Sequence, residues 1–194
     1  MKRGSGILLL AGLAVVLSAL GSRVPDALAR MDVFRVREVR LQGNRFLTRE
    51  EAAKTVAVPP GANLWDDLEG WRTRMAAHPL VREVRVRRRI PGALVFVVKE
   101  REPVALVAGA TLEPVDAEGR ILPIDPALHR LDLPILTAWG GRGQDTLNLT
   151  QRRILAGEAG RLAQADPEVL ARISDLSLDR RGDLRVRICD PPVT

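Results

Sequence analysis

Nineteen consecutive residues near the N-terminus, Gly4 to Ser22, carry no charged side chain, and Lys2 and Arg3 stand directly before them. A helix of about 20 apolar residues crosses the roughly 30 Å hydrocarbon core of a bilayer. Basic residues that precede a span remain on the cytoplasmic side. We therefore predict a cytoplasmic tail at residues 1–4, a single transmembrane helix at residues 5–22 in the inner membrane, and an extracytoplasmic location for the bulk of the chain. The predicted membrane anchor consists of Ile7, Leu8, Leu9, Leu10, Leu13, Val15, Val16, Leu17 and Leu20.

A cleaved signal peptide is the alternative fate of this segment. The apolar region of a cleavable signal is usually about 7 to 15 residues long, and residues 27–29, Ala-Leu-Ala, fit the small-x-small cleavage pattern. Arg23, Pro25 and Asp26 lie between the apolar block and that pattern, which makes the intervening region long and polar. We therefore favour an uncleaved anchor followed by a linker at residues 23–32. Both fates export the remainder of the chain.

Five arginines lie between Arg82 and Arg89, in a chain whose formal net charge is +6. Val84 and Val86 alternate with charged residues there, which predicts a strand at residues 81–89 with an arginine-covered, solvated face. Residues 90–92, Ile-Pro-Gly, predict a turn. Residues 93–100 are apolar on both faces, which predicts a central strand. We include Arg85, Arg87 and Arg89 as candidate partner-binding residues.

Binding of nucleic acid is not expected of this arginine run. Export separates the run from DNA, and a chain with three Trp, three Phe and no Tyr offers few aromatic platforms for stacking on bases. The basic balance suits a protein that lies beside anionic lipid headgroups equally well.

The residues before the arginine run predict one strand and two helices. A strand is expected at residues 36–41. Thr48 and Glu51 have the spacing of a capping box, which predicts a helix at residues 49–57. Asp67 is expected to cap a second helix that ends near residue 77, because Pro79 follows. The predicted order is β-α-α-β-β.

That order is accompanied by four specific segments: VREVRLQGN, GANLWDDLEGWRTRM, HPLVREVRVRRRIPGALVFVVKEREPVAL and VDAEGRIL. Together they resemble the POTRA domain of the FtsQ/DivIB cell-division family, in which a short basic tail and one spanning segment precede that domain. The resemblance covers residues 1 to about 124 and places a POTRA domain at residues 33–102. It implies an α+β fold.

Residues 103–194 predict a small, mostly antiparallel β domain with one or two helices. Short strands are expected at residues 104–107, 112–115 and 120–124, and Thr150 is expected to cap a helix that runs to about residue 163. Asp166 and Pro167 predict a second helix start. A closing hairpin is expected to pair Leu176 and Leu178 with the last strand. That last strand supplies the main candidate partner-binding residues: Leu184, Arg185, Val186, Arg187 and Ile188.

The family's β domain usually continues for several more strands, and its terminal strand region recruits FtsB. This domain therefore looks truncated in comparison with the family. An unpaired last strand still offers free N–H and C=O groups to a partner strand.

No catalytic pattern is present. His78 and His129 are the only histidines, Cys189 is the only cysteine, and no HExxH, GxSxG or SxxK sequence occurs. We predict that the protein is not an enzyme and has no cofactor, no metal and no small-molecule substrate. The resemblance implies a divisome scaffold with a role in septum formation, whose partners are FtsB, FtsL and the septal peptidoglycan synthases. The alternative is a POTRA chaperone module that binds unfolded exported polypeptides by β-augmentation.

Overall fold

The computed structural model describes residues 32–109, 111–125, 128–138 and 147–189. The predicted tail, anchor and most of the linker, including all nine anchor residues, lie outside these ranges. Among the described residues, no helix has both the length and the apolar character that a membrane span requires. The chain divides between Lys99 and Glu100 into two compact units.

Unit 1 contains a three-stranded sheet and two helices. A short 3-10 helix (Asp32–Phe34) precedes β1 (Glu38–Gln42), α1 (Arg49–Val56), α2 (Leu68–Ala76), β2 (Val81–Arg89) and β3 (Ala93–Glu100). The strand order is β1-β3-β2, and β1 runs parallel to β3 with Val39 opposite Leu94. β3 therefore occupies the centre, as its two apolar faces predicted, and the predicted β-α-α-β-β order is confirmed.

Side-chain caps fix the start of both helices in unit 1. The Thr48 hydroxyl accepts a hydrogen bond from the Glu51 N–H at 3.2 Å, and the Thr48 N–H donates to the Glu51 carboxylate at 3.0 Å. Asp67 accepts from the first-turn N–H groups of α2. Both predicted caps are confirmed. Such caps form because the side chain satisfies backbone N–H groups that a helix leaves free at its N-terminus.

The core of unit 1 lies between the helices and β3. Trp71 and Met75 of α2 are buried, as are Leu94 and Phe96 of β3, whereas Leu68 is only half-buried. β1 is followed by Gly43, whose φ is +79° and whose position would make an added Cβ collide with the Val98 carbonyl oxygen. Only glycine fits a left-handed turn at such a close backbone approach.

Unit 2 contains a five-stranded mixed sheet and two helices: β4 (Ala105–Ala108), β5 (Leu112–Val115), β6 (Ile135–Thr137), α3 (Leu149–Ala165), α4 (Pro167–Ala171), β7 (Ile173–Leu178) and β8 (Leu184–Ile188). The strand order is β5-β4-β6-β7-β8. The pairs β4–β5 and β7–β8 are antiparallel, but β4–β6 and β6–β7 are parallel. The sheet is therefore mixed: its two outer pairings are antiparallel, as predicted, and its two central pairings are parallel, which the prediction missed. The helices between β6 and β7 form a crossover, which joins parallel strands.

Two other predictions in unit 2 are corrected. Residues 120–124 form no strand and make only an isolated bridge between Ile121 and Val115, because Pro123 has no N–H to donate to a ladder. α3 is capped by Asn148 rather than by Thr150, through a capping box that Asn148 makes with Gln151. The predicted helix start at Asp166 and Pro167 is confirmed.

The core of unit 2 lies between α3 and the sheet. Leu155, Ala156 and Ala159 are fully buried on one face of α3, and they belong to the same apolar cluster as Leu136 and Leu176 of the sheet. Small residues on α3 allow the helix to pack closely against the turn that contains Ala117. A Cβ added at Gly160 would lie 2.6 Å from the Ala117 side chain.

Candidate interaction surface

β8 is the edge strand of the unit 2 sheet, and it carries the five main sequence-predicted partner residues. In the hairpin with β7, Leu178 lies opposite Leu184, Leu176 opposite Val186 and Ile173 opposite Ile188. The predicted pairing of Leu176 and Leu178 with the last strand is confirmed. β8 has a neighbour on one side only in the described sheet, which makes it the kind of strand to which a partner strand can add.

The apolar face of β8 is not covered. Leu176 and Ile173 of β7 are buried in the core, but their partners Leu184, Val186 and Ile188 are 40%, 44% and 58% exposed. Three branched apolar side chains at alternate positions thus continue the core face of the sheet into solvent. A sheet face of this kind is normally packed against another element.

The opposite face of the β7–β8 hairpin is polar and internally paired. Arg185 lies 3.3 Å from Asp179, and Arg187 lies 3.2 Å from Asp175. An open groove of about 350 Å³ runs along the hairpin and is lined by Asp175, Ser177, Arg185, Val186 and Arg187. The charges of Arg185 and Arg187 are therefore partly neutralised by carboxylates of the same hairpin. The apolar side chains of β8, in contrast, remain exposed.

The turn of this hairpin is fixed by Asp179. Its carboxylate accepts hydrogen bonds from the N–H groups of Arg181 and Asp183 at 2.8 and 3.0 Å. The backbone N–H of Asp183, followed by that of Arg181 and the Arg185 guanidinium, holds the pKa of Asp179 below its ordinary value. The turn is consequently most stable with Asp179 ionised.

The sequence-predicted arginines of β2 lie on the edge of the other sheet. Arg85, Arg87 and Arg89 are all exposed, as the period-two pattern predicted, and Val84 is buried. Arg85 and Arg87 border an open groove of about 160 Å³. The structure places these arginines in unit 1 and the β8 residues in unit 2, so the eight predicted partner residues are divided between the two units.

Arg88, which the sequence pattern did not single out, has a different environment. Its guanidinium lies 5.1 Å from the centre of the Trp65 ring, and its Nε donates to the Leu64 carbonyl oxygen. Trp65 also meets Phe34 edge-to-face at 6.0 Å. The period-two alternation places Arg88 in phase with Val84 and Val86, on the opposite face from Arg87 and Arg89. The alternation does not identify its partner, which lies 24 residues away in the chain.

Arg101 forms a largely buried ion pair. Its side chain is 14% exposed and lies 3.1 Å from Asp116, which is 3% exposed. Asp116 accepts two further bonds, from the N–H groups of Glu118 and Arg120. This pair ties the start of unit 2 to the turn after β5.

Two of the residues considered for catalysis, His78 and Cys189, can be described individually. His78 Nδ1 accepts a hydrogen bond from the Leu80 N–H at 3.2 Å, and Cys189 is exposed. No group of three or more His, Cys, Asp or Glu side chains with metal-binding spacing occurs in the part of the chain that the structure describes.

The comparisons with known proteins agree with the architecture of unit 1. The sequence profile of the family described as "POTRA domain, FtsQ-type" matches residues 34–101. Unit 1 therefore contains an FtsQ-type POTRA domain.

Curated FtsQ proteins are also similar to this chain. It is 28% identical over 198 residues to the cell division protein FtsQ of Syntrophotalea carbinolica, an alignment that covers 95% of this chain and 66% of that protein. It is 35% identical over 122 residues to FtsQ of Anaeromyxobacter sp. (59% of this chain, 42% of that protein). It is 30% identical over 158 residues to FtsQ of Myxococcus fulvus (79% and 52%).

The family profile and the alignments with FtsQ proteins cover different parts of the chain. The profile spans all three strands and both helices of unit 1, and the alignment with the Syntrophotalea FtsQ extends through unit 2. The chain spans between about two fifths and two thirds of the length of these three FtsQ relatives.

Proposed function

We propose that this chain is a single-pass inner-membrane scaffold of the bacterial divisome. In this role the bulk of the chain lies outside the cytoplasm and links early and late division proteins to septal peptidoglycan synthesis. The FtsQ-type POTRA domain and the similarity to cell division proteins support this role. The uncharged run at residues 4–22 supports the anchor. By the family resemblance, the partners are FtsB, FtsL and, through them, the septal synthases.

The observation that carries the binding role is the position of β8, which is an edge strand of the described sheet and has an exposed apolar face. A partner strand added at this edge would complete the backbone hydrogen bonds, and its apolar side chains would cover Leu184, Val186 and Ile188. Backbone pairing gives such a contact affinity, and the alternating side chains give it specificity. Contacts of this kind need no catalytic residue, and we propose none.

The arginines have a secondary role in this proposal. Arg185 and Arg187 would meet polar side chains of the added strand on the opposite face. Arg85, Arg87 and Arg89 would form a separate contact on unit 1. Exposed charges add little affinity but influence association rate and the choice of partner.

The test replaces Val186 by Asp in the full chain and compares it with Val169→Asp. Val169 is a matched control because it is an apolar residue of α4 in the same unit with the same exposure, 43% against 44%. Burying a carboxylate at the interface should lower copurification of FtsB about tenfold or more, because tenfold corresponds to only about 1.4 kcal/mol. Equal copurification by the two variants would exclude β8 as the binding strand.

The alternative function, capture of unfolded exported polypeptides, is favoured by one observation. β2 is also an edge strand, and it offers nine residues for β-augmentation. A fluorescent fusion distinguishes the two functions in dividing cells. A divisome scaffold gathers at midcell, whereas a general chaperone module is distributed over the whole membrane.

A further inference from the structure

Three segments of unit 1 meet where β1 and β3 begin and β2 ends. The Val36 N–H donates to the Ala62 carbonyl at 2.8 Å, the Leu64 N–H to the Phe34 carbonyl at 2.9 Å, and the Arg37 N–H to the Gly92 carbonyl at 2.8 Å. Residues 32–37, 57–65 and 88–92 therefore form one continuous surface, which we name the arginine-aromatic end.

Apolar and aromatic side chains are concentrated at the arginine-aromatic end. Ile90 is 64% exposed at the tip of the β2–β3 turn, and Val33 is 45% exposed. Phe34 and Trp65 are half-buried beside them and pack edge-to-face. Residues 57–62 carry no charge. Large apolar side chains that stand at loop tips, with aromatic rings behind them, are typical of surfaces that enter the interfacial region of a bilayer.

Exposed arginines surround these apolar tips. The Arg35 backbone and the Arg37 side chain lie against Gly92, two residues from Ile90. Arg89 directly precedes Ile90, and Arg37 and Arg89 form no ion pair with the described residues. Arg88 lies over the Trp65 ring. Arginines thus border the apolar tips in the chain and in space, as basic residues do on surfaces that meet anionic lipid headgroups.

Acidic groups at this end are already engaged. Asp32 pairs with Arg35 at 2.8 Å, and Glu38 pairs with Arg40 at 2.7 Å. Asp66 accepts from the Asn63 N–H, and Asp67 caps α2. These carboxylates nevertheless offset much of the arginine charge. The surface therefore suits orientation of a domain already held near a membrane better than recruitment from solution.

We propose that the arginine-aromatic end of the POTRA domain lies on the outer surface of a bilayer that contains anionic phospholipid. Ile90 and Val33 enter the headgroup region, and Arg35, Arg37 and Arg89 contact lipid phosphates. This inference rests on the proposed membrane anchor. Nine residues separate the predicted span from Asp32, and a stretch of that length reaches at most about 32 Å, so a weak surface contact is sufficient at the resulting local concentration.

The test uses the full chain with Cys189 replaced by Ser, reconstituted into phosphatidylcholine vesicles with or without phosphatidylglycerol. A single cysteine is introduced as Ile90→Cys or, at the opposite end of unit 1, as Ala77→Cys, and is labelled with an environment-sensitive fluorophore. Ala77 is exposed, like Ile90, and follows α2. We expect the label at position 90 to shift to the blue and to be quenched severalfold by spin-labelled lipid, most strongly with phosphatidylglycerol. The label at position 77 should remain in water.

A charge variant separates docking from an effect of the label. Replacement of Arg35, Arg37 and Arg89 by Gln should return the label at position 90 to the signal of position 77, while the chain still floats with the vesicles. A chain that floats but keeps position 90 in water in both lipid mixtures would overturn the docking and leave the anchor intact. A chain that does not float would overturn both.

Discussion

At Asp116, one buried carboxylate accepts three hydrogen bonds. Two come from the backbone N–H groups of Glu118 and Arg120, and the third comes from the Arg101 guanidinium at 3.1 Å. The same guanidinium also reaches Glu118, at 3.4 Å, but the Glu118 side chain is 50% exposed. One arginine therefore interacts with a buried and an exposed carboxylate, which should contribute very differently to the free energy of unfolding.

We predict that Asp116→Ala destabilises unit 2 by about 3 to 5 kcal/mol, because removal of one partner leaves a poorly hydrated charge on Arg101. Glu118→Ala is the matched control and should cost about 0 to 1 kcal/mol, since exposed ion pairs are weak. Chemical denaturation of the two variants measures the difference. Similar losses in both would show that burial does not determine the contribution of this pair.

At the scale of the element, the β7–β8 hairpin combines a well-fixed turn with an uncovered strand. Asp179 organises the turn through two backbone hydrogen bonds, and Gly182 follows with φ +87°. No residue of β8 is buried. The turn thus fixes the register of β8 against β7, although no β8 side chain is buried. A strand of this kind is suited to binding a partner strand.

The hairpin should lose stability in acid. Because the folded state lowers the pKa of Asp179, the stabilisation by its ionised form is fully present above the unfolded pKa of about 3.9 and is lost as the pH falls through the folded value. Hydrogen exchange of residues 173–188 should therefore be faster in Asp179→Asn than in the unmodified chain at pH 7, and the difference should shrink below about pH 4.

Asp183→Asn is the control for this measurement, since it removes the same charge from the same turn but keeps the Asp179 carboxylate. At pH 7, hydrogen exchange of residues 173–188 should be slower in Asp183→Asn than in Asp179→Asn. A difference between Asp179→Asn and the unmodified chain that stays constant from neutral pH to about pH 3 would contradict the assignment.

At the scale of the whole molecule, each unit has its own hydrophobic core. Met75 and Phe96 are fully buried in unit 1, and Leu155 and Leu176 are fully buried in unit 2. Separate cores allow each unit to be stabilised by its own packing. The POTRA domain and the β domain can then serve different contacts, one at the membrane surface and one at β8, as proposed above.

We predict that Met75→Ala and Leu155→Ala each destabilise one unit, by about 2 to 5 kcal/mol, because each leaves a cavity at a fully buried position. Hydrogen exchange measured by mass spectrometry should increase within residues 32–99 for Met75→Ala and within residues 147–189 for Leu155→Ala. An increase across both regions in either variant would show that the two units unfold as one.

Local sequence rules determined much of this protein. The period-two alternation in β2, the apolar run of β3 and the spacing of Thr48 and Glu51 each depend on hydrogen bonds or side-chain directions within a few residues, and each prediction is confirmed. The pairing of β7 with β8 was also predictable, since a tight turn fixes which residues lie opposite each other.

Only the tertiary structure decided the features that join distant segments. The parallel insertion of β6 between β4 and β7, the pairing of Arg101 with Asp116 and the packing of Arg88 on Trp65 each depend on how the chain closes over many residues. The exposure of Leu184, Val186 and Ile188 belongs to the same class, since their alternation is that of an ordinary core strand. A sequence pattern states which side chains prefer burial, but the arrangement of the other elements determines which of them are left uncovered.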